Sequence, residues 1–452
     1  MSFPVTTSGV YRARRGALAA RYTAPAVFFA GAAPARNYPA NTYAFRPNSH
    51  YAYFGGPAEE GAALLFDGGS WTLFAHPPDR DDALWHGARP PLASLTSRFA
   101  VDAVRPVDEL GPALRALGAV ASLSPKPHRE GYDDALAGAD SARAADLADS
   151  VIAVRLAHDE AAVAQLRAAA EASAEAHVAG MRATRGAATE HEVCAAITHA
   201  LYRRGMADAY GPIVTIRGEV LHNHSHDGKL TPGDLLLCDV GGETPEGWAS
   251  DITRTWPVSG TFSPTQKAIY EIVLAAQLAA IDRVRPGVRY RDAHEAAKRT
   301  IVEGLVGLGI LRGAVDGLLE RGAAALFFPH GIGHLLGLDV HDMEDLGDRA
   351  GYAPGRKRSE RFGDRYLRLD RDLVAGMAVT IEPGFYQVPE ILNDAELTKE
   401  VGADLDREAL ARFADVRGIR IEDDVLCTSD EPEILSKSCP KRVADVEAAV
   451  RG

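Results

Sequence analysis

The chain has 452 residues, of which 46% are hydrophobic and 25% are charged, so it is long enough for two or three domains with large buried cores. Its 49 Lys and Arg residues are outnumbered by 62 Asp and Glu residues, and the formal net charge of −13 argues against nucleic acid or an anionic membrane as the main partner. No stretch approaches the roughly 18 uninterrupted apolar residues that a membrane span requires.

The first predicted element is an amphipathic helix over residues 11–22. Arg14 and Arg15, followed by an Ala-rich stretch, also resemble the start of an export signal. Arg21 interrupts the apolar core that such a signal needs, which favours the helix. Four cysteines without CxxC spacing favour buried thiols in a reducing compartment over disulfides: Cys194, Cys238, Cys427 and Cys439. The sequence therefore predicts a cytoplasmic protein.

Residues 1–150 are predicted to form an α/β domain, because short apolar strands alternate with helices in this part of the chain. The predicted strands cover residues 26–30, 61–66 and 71–75, and the predicted helices lie near residues 108–117 and 140–150. A linker over residues 144–157 leads into the second domain, which is predicted to span residues 151–452.

The second domain begins with two predicted helices, 159–184 and 190–205, and Thr189 and Glu192 have the spacing of a capping box at the start of the second. Two strands follow, and then the order recurs with helices that begin at Ser263 and at Tyr290 and with further strands. This repeated helix, helix, strand, strand order predicts a duplicated α+β domain with pseudo-twofold symmetry.

Two aspartates stand out between residues 235 and 257. The apolar strand Leu235–Cys238 runs into Asp239, and a second predicted strand, Asp251–Trp256, opens with another acid. A hairpin can aim both carboxylates at one point. Like charges this close cannot both stay ionised without a cation, so either one keeps a proton or a divalent metal lies between them. We favour the metal.

Three more residues of this kind interrupt later apolar stretches: His334, Glu382 and Glu422. Each alone could be a strand-end group in a salt bridge. Four carboxylates and one imidazole together form an oxygen-rich set that suits Mn, Co, Zn or Fe(II) in a two-metal site, and not a structural Cys-based zinc site. Two such ions about 3.5 Å apart would lower the pKa of a bridging water and make a nucleophile available near neutral pH.

Five short motifs surround these residues: DVGG at 239–242, ASDITRT at 249–255, HGIGHLLGLDVHD at 330–342, TIEPG at 380–384 and GIRIEDD at 418–424. Together they resemble the pita-bread metallopeptidases, specifically the Xaa-Pro aminopeptidase (aminopeptidase P) and prolidase branch. The resemblance implies a pita-bread catalytic domain and five metal ligands: Asp239, Asp251, His334, Glu382 and Glu422. It implies two divalent ions, with Mn²⁺ expected and Zn²⁺ or Co²⁺ as alternatives.

The resemblance also assigns roles to residues around the metals. His222 would steady the oxyanion, and His341 would donate to the substrate or the leaving nitrogen. Glu382 would shuttle a proton to the departing proline nitrogen, and His330 would line the proline pocket. Arg368, in a basic excursion over residues 343–376, resembles the prolidase arginine that grips a substrate carboxylate.

Two N-terminal motifs, at residues 46–55 and 84–89, are similar to the N-terminal domain of aminopeptidase P. In that family the Trp matching Trp85 reaches the proline pocket of a neighbouring subunit, which implies a homo-oligomer, either a dimer or a tetramer. The alternative is that Trp85 is a local core aromatic.

The sequence is thus expected to encode an Xaa-Pro aminopeptidase, which releases the N-terminal residue from peptides with proline in second position. The alternative is an Xaa-Pro dipeptidase, which would follow if Arg368 clamps the free carboxylate of a dipeptide. A non-catalytic binding module and a creatinase-like carbon–nitrogen hydrolase are disfavoured, because this chain keeps all five ligand types. No nucleic-acid or membrane partner is expected.

Overall fold

The computed structural model describes residues 3–138 and 141–452. Contacts within the chain divide it into two compact units, Pro4–Leu156 and Ala157–Gly452. The predicted domain boundary after residue 150 falls inside the helix Ser141–Arg155, just before this division.

The N-terminal unit contains the predicted α/β arrangement. Its helices are α1 (Ser8–Ala19), α2 (Ser49–Phe54), α3 (Arg80–Trp85), α4 (Leu92–Phe99), α5 (Leu110–Leu117), α6 (Asp133–Leu136) and α7 (Ser141–Arg155), and its strands are β1 (Ala26–Phe29), β2 (Ala63–Phe66), β3 (Trp71–Ala75) and β4 (Ala103–Pro106). The strands form one sheet in this order, antiparallel except for the parallel β3–β4 pair. One core cluster packs Val27, Phe29 and Phe74 against Leu110 and Leu114.

The three predicted strands of this unit match β1, β2 and β3 to within two residues at each end. The N-terminal helix is present but begins at Ser8 rather than Tyr11. The helix predicted over residues 140–150 is α7, although residue 140 itself lies outside the described residues. Strand β4 was not predicted, because Ala103–Pro106 is only half-buried and lacks an apolar run.

The second unit alternates helix pairs with short strands. Its helices are α8 (Glu160–Thr184), α9 (Glu190–Arg203), α10 (Pro264–Ile281), α11 (Tyr290–Gly307), α12 (Val315–Arg321), α13 (Asp348–Gly351), α14 (Pro389–Leu392), α15 (Arg407–Ala411) and α16 (Val443–Arg451). Its strands are β5 (Ala207–Asp208), β6 (Ile213–Thr215), β7 (Leu235–Asp239), β8 (Gly242–Glu243), β9 (Thr253–Pro257), β10 (Ala378–Ile381), β11 (Gly384–Tyr386), β12 (Gly418–Arg420), β13 (Asp423–Leu426) and β14 (Glu433–Ile434).

The predicted recurrence of elements is present in this unit. Helices α8 and α9 pack together and precede the antiparallel sheet β6-β7-β9, and α10 and α11 pack together and precede β10 to β13. Ser263 and Gln266 form a capping box at the start of α10. The capping box predicted at Thr189 is wrong, because Glu192 accepts the Thr189 hydroxyl and the Ala188 N–H instead.

Asp239 is the last residue of β7, and the other three candidate acids lie outside the strands. Strand β9 begins at Thr253, so Asp251 lies in the turn before it and not at the predicted first strand position. Glu382 separates β10 from β11, and Glu422 separates β12 from β13. Since β10 pairs with β13 while β11 pairs with β12, the chain passes from one sheet to another at both glutamates.

All four cysteines lie in the described segments and none is in a disulfide, as predicted, and three of them are buried. Within the same segments, every helix is too short or too polar to cross a bilayer.

Candidate active site

Asp239 and Asp251 are brought together by the pairing of β7 with β9 and by the connection between these strands, which turns at Gly241 and contains β8. Asp239 ends β7 in register with Thr253 of β9. The turn requires glycine at Gly241, because a Cβ there would lie 1.7 Å from the backbone oxygen of Ser250. The Tyr210 hydroxyl lies between the two acids, 2.6 Å from Oδ1 of Asp239 and in close contact with Oδ1 of Asp251.

His334 and Glu382 are placed side by side by backbone pairing. The Thr380 N–H donates to the His334 carbonyl at 3.0 Å, and the Glu382 N–H donates to the Ile332 carbonyl at 2.9 Å. Gly333, which directly precedes His334, has a φ of +151°, and a Cβ there would lie 2.3 Å from the Thr380 carbonyl oxygen. His334 Nε2 is 3.4 Å from Oδ2 of Asp251 and 3.6 Å from Oε1 of Glu382.

Glu422 completes the cluster from the other side. Its backbone N–H donates to the Thr253 carbonyl at 3.0 Å, and its Oε2 accepts the Thr253 hydroxyl at 2.7 Å. Asp251, His334 and Glu422 each offer one ligand atom within 4.8 Å of the others, and all three are buried. The five residues predicted from the sequence as metal ligands therefore line a single cavity of about 570 Å³.

The electrostatics of this cavity suit a divalent cation. Burial raises the pKa of Glu382 to about 7, against the opposing charges of His334 and Arg420. Burial and the neighbouring carboxylates also raise the pKa values of Asp251 and Glu422. Buried acids that resist ionisation are stabilised by a cation, and oxygen donors with one imidazole nitrogen match Mn²⁺, Zn²⁺ or Co²⁺. The residues present fit a metal centre.

His334 responds to the same surroundings. Burial alone would lower its pKa, but the carboxylates of Asp251 and Glu382 outweigh that effect and raise the pKa to about 9. The protonated ring thus supplies part of the positive charge that stabilises the carboxylates of Asp251 and Glu382. A metal ion would take over that charge and leave the ring neutral, which is the form that binds metal.

The three other predicted histidines line the same cavity: His222, His330 and His341. His330 Nε2 lies 2.9 Å from the Tyr386 hydroxyl, and its other nitrogen lies 2.8 Å from the Gly331 carbonyl. The His341 ring packs edge-on against His334 with centroids 4.2 Å apart. Burial lowers the pKa of His222, of His330 to about 3 and of His341 to about 2, so all three are neutral at pH 7.

Arg368 also lines the cavity, and Nη1 donates to Oε2 of Glu344 at 2.6 Å. Trp85 belongs to the N-terminal unit, where it lies at the end of α3. Its side chain is 76% exposed, so the alternative that Trp85 is a local core aromatic is wrong. It is not among the residues that line the cavity.

Several residues that organise the site were missed by the sequence analysis. Tyr210 bridges the two aspartates, and Tyr386 joins His330 to Arg420 through its hydroxyl. The buried carboxylate of Glu190 accepts the backbone N–H groups of Ile216 and Gly228, which anchors the loop that carries His222. Glu190 was predicted only as the first residue of the helix over residues 190–205, where α9 does begin.

Comparison with known proteins places this geometry in a family. Residues 164–429 match metallopeptidase family M24, and residues 11–123 match the aminopeptidase P N-terminal domain. The Xaa-Pro dipeptidase of Homo sapiens is 33% identical over 426 residues, which cover 90% of this chain and 85% of that protein. The probable Xaa-Pro aminopeptidase pepP of Talaromyces marneffei is 33% identical over 395 residues, which cover 84% of this chain and 82% of that protein.

A solved structure shares the same architecture over both units. Zn-substituted Escherichia coli aminopeptidase P in complex with product superposes with a TM-score of 0.81 at 29% identity, covering 99% of this chain and 98% of that one. These matches confirm the resemblance that the five motifs predicted and the combination of an α/β N-terminal domain with a pita-bread catalytic domain. The chain belongs to metallopeptidase family M24 and carries an aminopeptidase P N-terminal domain.

Proposed function

We propose that this protein is a metal-dependent Xaa-Pro aminopeptidase, which releases the N-terminal residue from peptides with proline in second position. One observation carries the proposal: the five candidate ligands and the three histidines line the same cavity of about 570 Å³. Relatives named Xaa-Pro aminopeptidase and aminopeptidase P support the reaction class.

The metal centre is proposed to hold two divalent ions, with Mn²⁺ expected and Zn²⁺ or Co²⁺ as alternatives. Its ligands would be Asp239, Asp251, His334, Glu382 and Glu422. When bound, such ions supply a nucleophilic water near neutral pH and stabilise negative charge on the carbonyl oxygen of the substrate. The donor set of four carboxylates and one imidazole supports this choice of metals.

The side chains around the metals would move protons and hold the substrate. Glu382, whose pKa burial raises to about 7, can accept a proton and pass it to the departing proline nitrogen. His222 and His341 are neutral and can donate N–H groups to the carbonyl oxygen and to the substrate backbone. His330, held by Tyr386, would form part of the wall around the proline ring.

The proposal extends to partners and location. The substrate is a peptide with proline in second position. Trp85 is proposed to reach the proline pocket of a second copy of the chain, so the active form would be a dimer or a tetramer. The 76% exposure of Trp85 supports a role outside its own core. Cysteines without disulfides support a cytoplasmic location.

Activity assays of the metal-loaded protein test the proposal. We expect cleavage of Ala-Pro-Ala-Ala after the first residue, and a loss of kcat of about 10³-fold in Glu382→Gln, since the proton carrier and one ligand are removed together. Asp251→Asn should abolish activity through loss of metal. The exposed Glu396→Gln variant is a matched control and should remain fully active.

Three other results would redirect the assignment. Cleavage confined to Xaa-Pro dipeptides would favour the dipeptidase. Metal bound with the expected stoichiometry but no cleavage of any Xaa-Pro peptide would favour a binding module. Retained activity in Glu382→Gln would contradict the proposed mechanism.

A further inference from the structure

Arg368 is paired with an acid that the five motifs do not single out. Its Nη1 donates to Oε2 of Glu344 at 2.6 Å. Arg368 lines both the main cavity and a smaller cavity of about 100 Å³, whereas Glu344 lines only the smaller one. The guanidinium of Arg368 therefore lines the substrate cavity while it is hydrogen-bonded to the carboxylate of Glu344.

The local backbone holds Glu344 in this place. Met343, the residue before it, is buried and has a φ of 59°, a left-handed conformation that is uncommon outside glycine. Glu344 then begins a short 3₁₀ turn, Glu344–Leu346. Its Oε1 is buried and has no hydrogen-bond partner among the described residues. The contacts of its Oε2 are the hydrogen bond from Arg368 and a longer contact of 3.5 Å with Nδ1 of His341, so the closest partner of Glu344 is Arg368.

We propose that Glu344 masks Arg368 and thereby makes the enzyme discriminate against Xaa-Pro dipeptides in favour of longer peptides. This inference rests on the proposed Xaa-Pro aminopeptidase function. In this proposal Glu344 is the residue that sets the preferred substrate length, and it does so by masking Arg368.

The physical reason lies in the position of the substrate carboxylate. In an Xaa-Pro dipeptide the carboxylate is on the proline itself, next to the scissile bond, whereas a longer peptide has a neutral amide there. A free arginine would attract that carboxylate, but an arginine already bound to Glu344 forms a pair with no net charge. The incoming carboxylate would also be repelled by Glu344, while an amide would be almost unaffected.

The test is Glu344→Gln, which keeps the shape and a hydrogen-bond acceptor but removes the charge. With the Mn²⁺-loaded enzyme, kcat/KM is measured for Ala-Pro and for Ala-Pro-Ala-Ala. We expect the ratio of the two to shift at least tenfold toward Ala-Pro, mainly through a lower KM for the dipeptide. Glu360→Gln, an exposed acid of the same excursion, is the matched control and should leave the ratio unchanged.

A second variant isolates the pair. Adding Arg368→Gln to Glu344→Gln should cancel the gain for Ala-Pro, because the unmasked cation is gone. An unchanged ratio in Glu344→Gln, a shift toward the longer peptide, or an equal loss for both substrates would each overturn the masking role. Failure of the metal-loaded wild type to cleave either peptide would instead contradict the proposed function, so the two failures are distinguishable.

Discussion

A single buried hydroxyl links two of the candidate metal ligands. Thr253 donates to Oε2 of Glu422 at 2.7 Å and accepts from Nε of Arg420 at 3.0 Å. Arg420 in turn donates from Nη2 to Oδ2 of Asp239 at 2.5 Å. These hydrogen bonds orient the carboxylates of Glu422 and Asp239. The hydroxyl of Thr253 should therefore affect metal binding although it is not a ligand.

We expect Thr253→Val to weaken metal binding about 10- to 100-fold, the usual effect of losing a group that orients a ligand. The isosteric valine removes only the hydroxyl, so Glu422 loses one donor and Arg420 loses one acceptor. The measurement is calorimetric titration of the chelator-treated protein with Mn²⁺.

Thr255→Val provides the control for this prediction. Thr255 is equally buried and lies on the same strand, but its hydroxyl bonds the backbone of Arg420 rather than a candidate ligand. It should reduce stability without reducing metal affinity. Equal affinity losses in the two valine variants would mean that strand packing, and not ligand orientation, is responsible.

At the scale of elements, the basic excursion over residues 343–376 is tied together internally. Three ion pairs lie within the segment, namely Arg356 with Asp372, Arg358 with Asp348 and Arg368 with Glu344. Arg361 instead donates to the backbone carbonyl of Glu320 outside it. Arg371 donates to the carbonyls of Ala350 and Arg349. The excess of positive charge seen in the sequence therefore serves to fold a segment that has little regular secondary structure.

Asp370 is the acid that joins this excursion to the start of α11. It is fully buried and accepts from Arg289 at 2.5 and 2.6 Å and from Arg291 at 3.1 Å. Burial alone would raise its pKa, but the two arginines outweigh that effect and lower it. We expect Asp370→Asn to reduce the free energy of unfolding by about 2 kcal/mol at pH 7, as for other hydrogen bonds to charged groups.

The sign of the pH dependence follows from the lowered pKa. A carboxyl with a lower pKa in the folded state adds stability above its unfolded pKa of about 3.9 and loses that contribution as pH falls through the folded value. The difference in the free energy of unfolding between wild type and Asp370→Asn should therefore be constant from about pH 5 to 8 and should disappear below about pH 4. Urea unfolding with chelator present, at a series of pH values, measures it.

The exposed Asp372 gives a control for the same experiment. It makes a single ion pair with Arg356, and Asp372→Asn should change stability by less than about 1 kcal/mol. If the loss of unfolding free energy in Asp370→Asn persists unchanged to pH 3, the contribution of Asp370 to stability is not electrostatic.

For the whole molecule, the sequence was sufficient to identify the candidate ligands. Asp239 and Glu382 stand out because each ends an apolar strand, where a carboxylate needs a partner. The motif order then placed them in one domain with His334. Helix start signals also located the long helices α8, α10 and α11, whose first residues lie within one position of the predicted starts.

The rest could not be read from the chain, because it depends on contacts between distant residues. Thr253 and Tyr210 are ordinary strand and loop residues until folding brings them to Glu422 and Asp239. The pairing of Arg368 with Glu344 joins residues 24 positions apart, and no repeat or motif in the sequence indicates it. The strand breaks at the acids were also missed, because a change of sheet leaves no mark in the alternation of apolar residues.

A final prediction concerns the stability of the whole chain. The candidate ligands come from separate stretches between Asp239 and Glu422, so a cation that binds them in the folded state alone stabilises that state by mass action. At a free Mn²⁺ concentration 100-fold above Kd the gain is about 2.7 kcal/mol, or about 3 to 4 °C in Tm for a chain of this size. Differential scanning calorimetry with and without chelator should show this shift in wild type and in the exposed Asp316→Asn variant. It should vanish in Asp251→Asn, and a full shift in that variant would place the bound metal outside the proposed site.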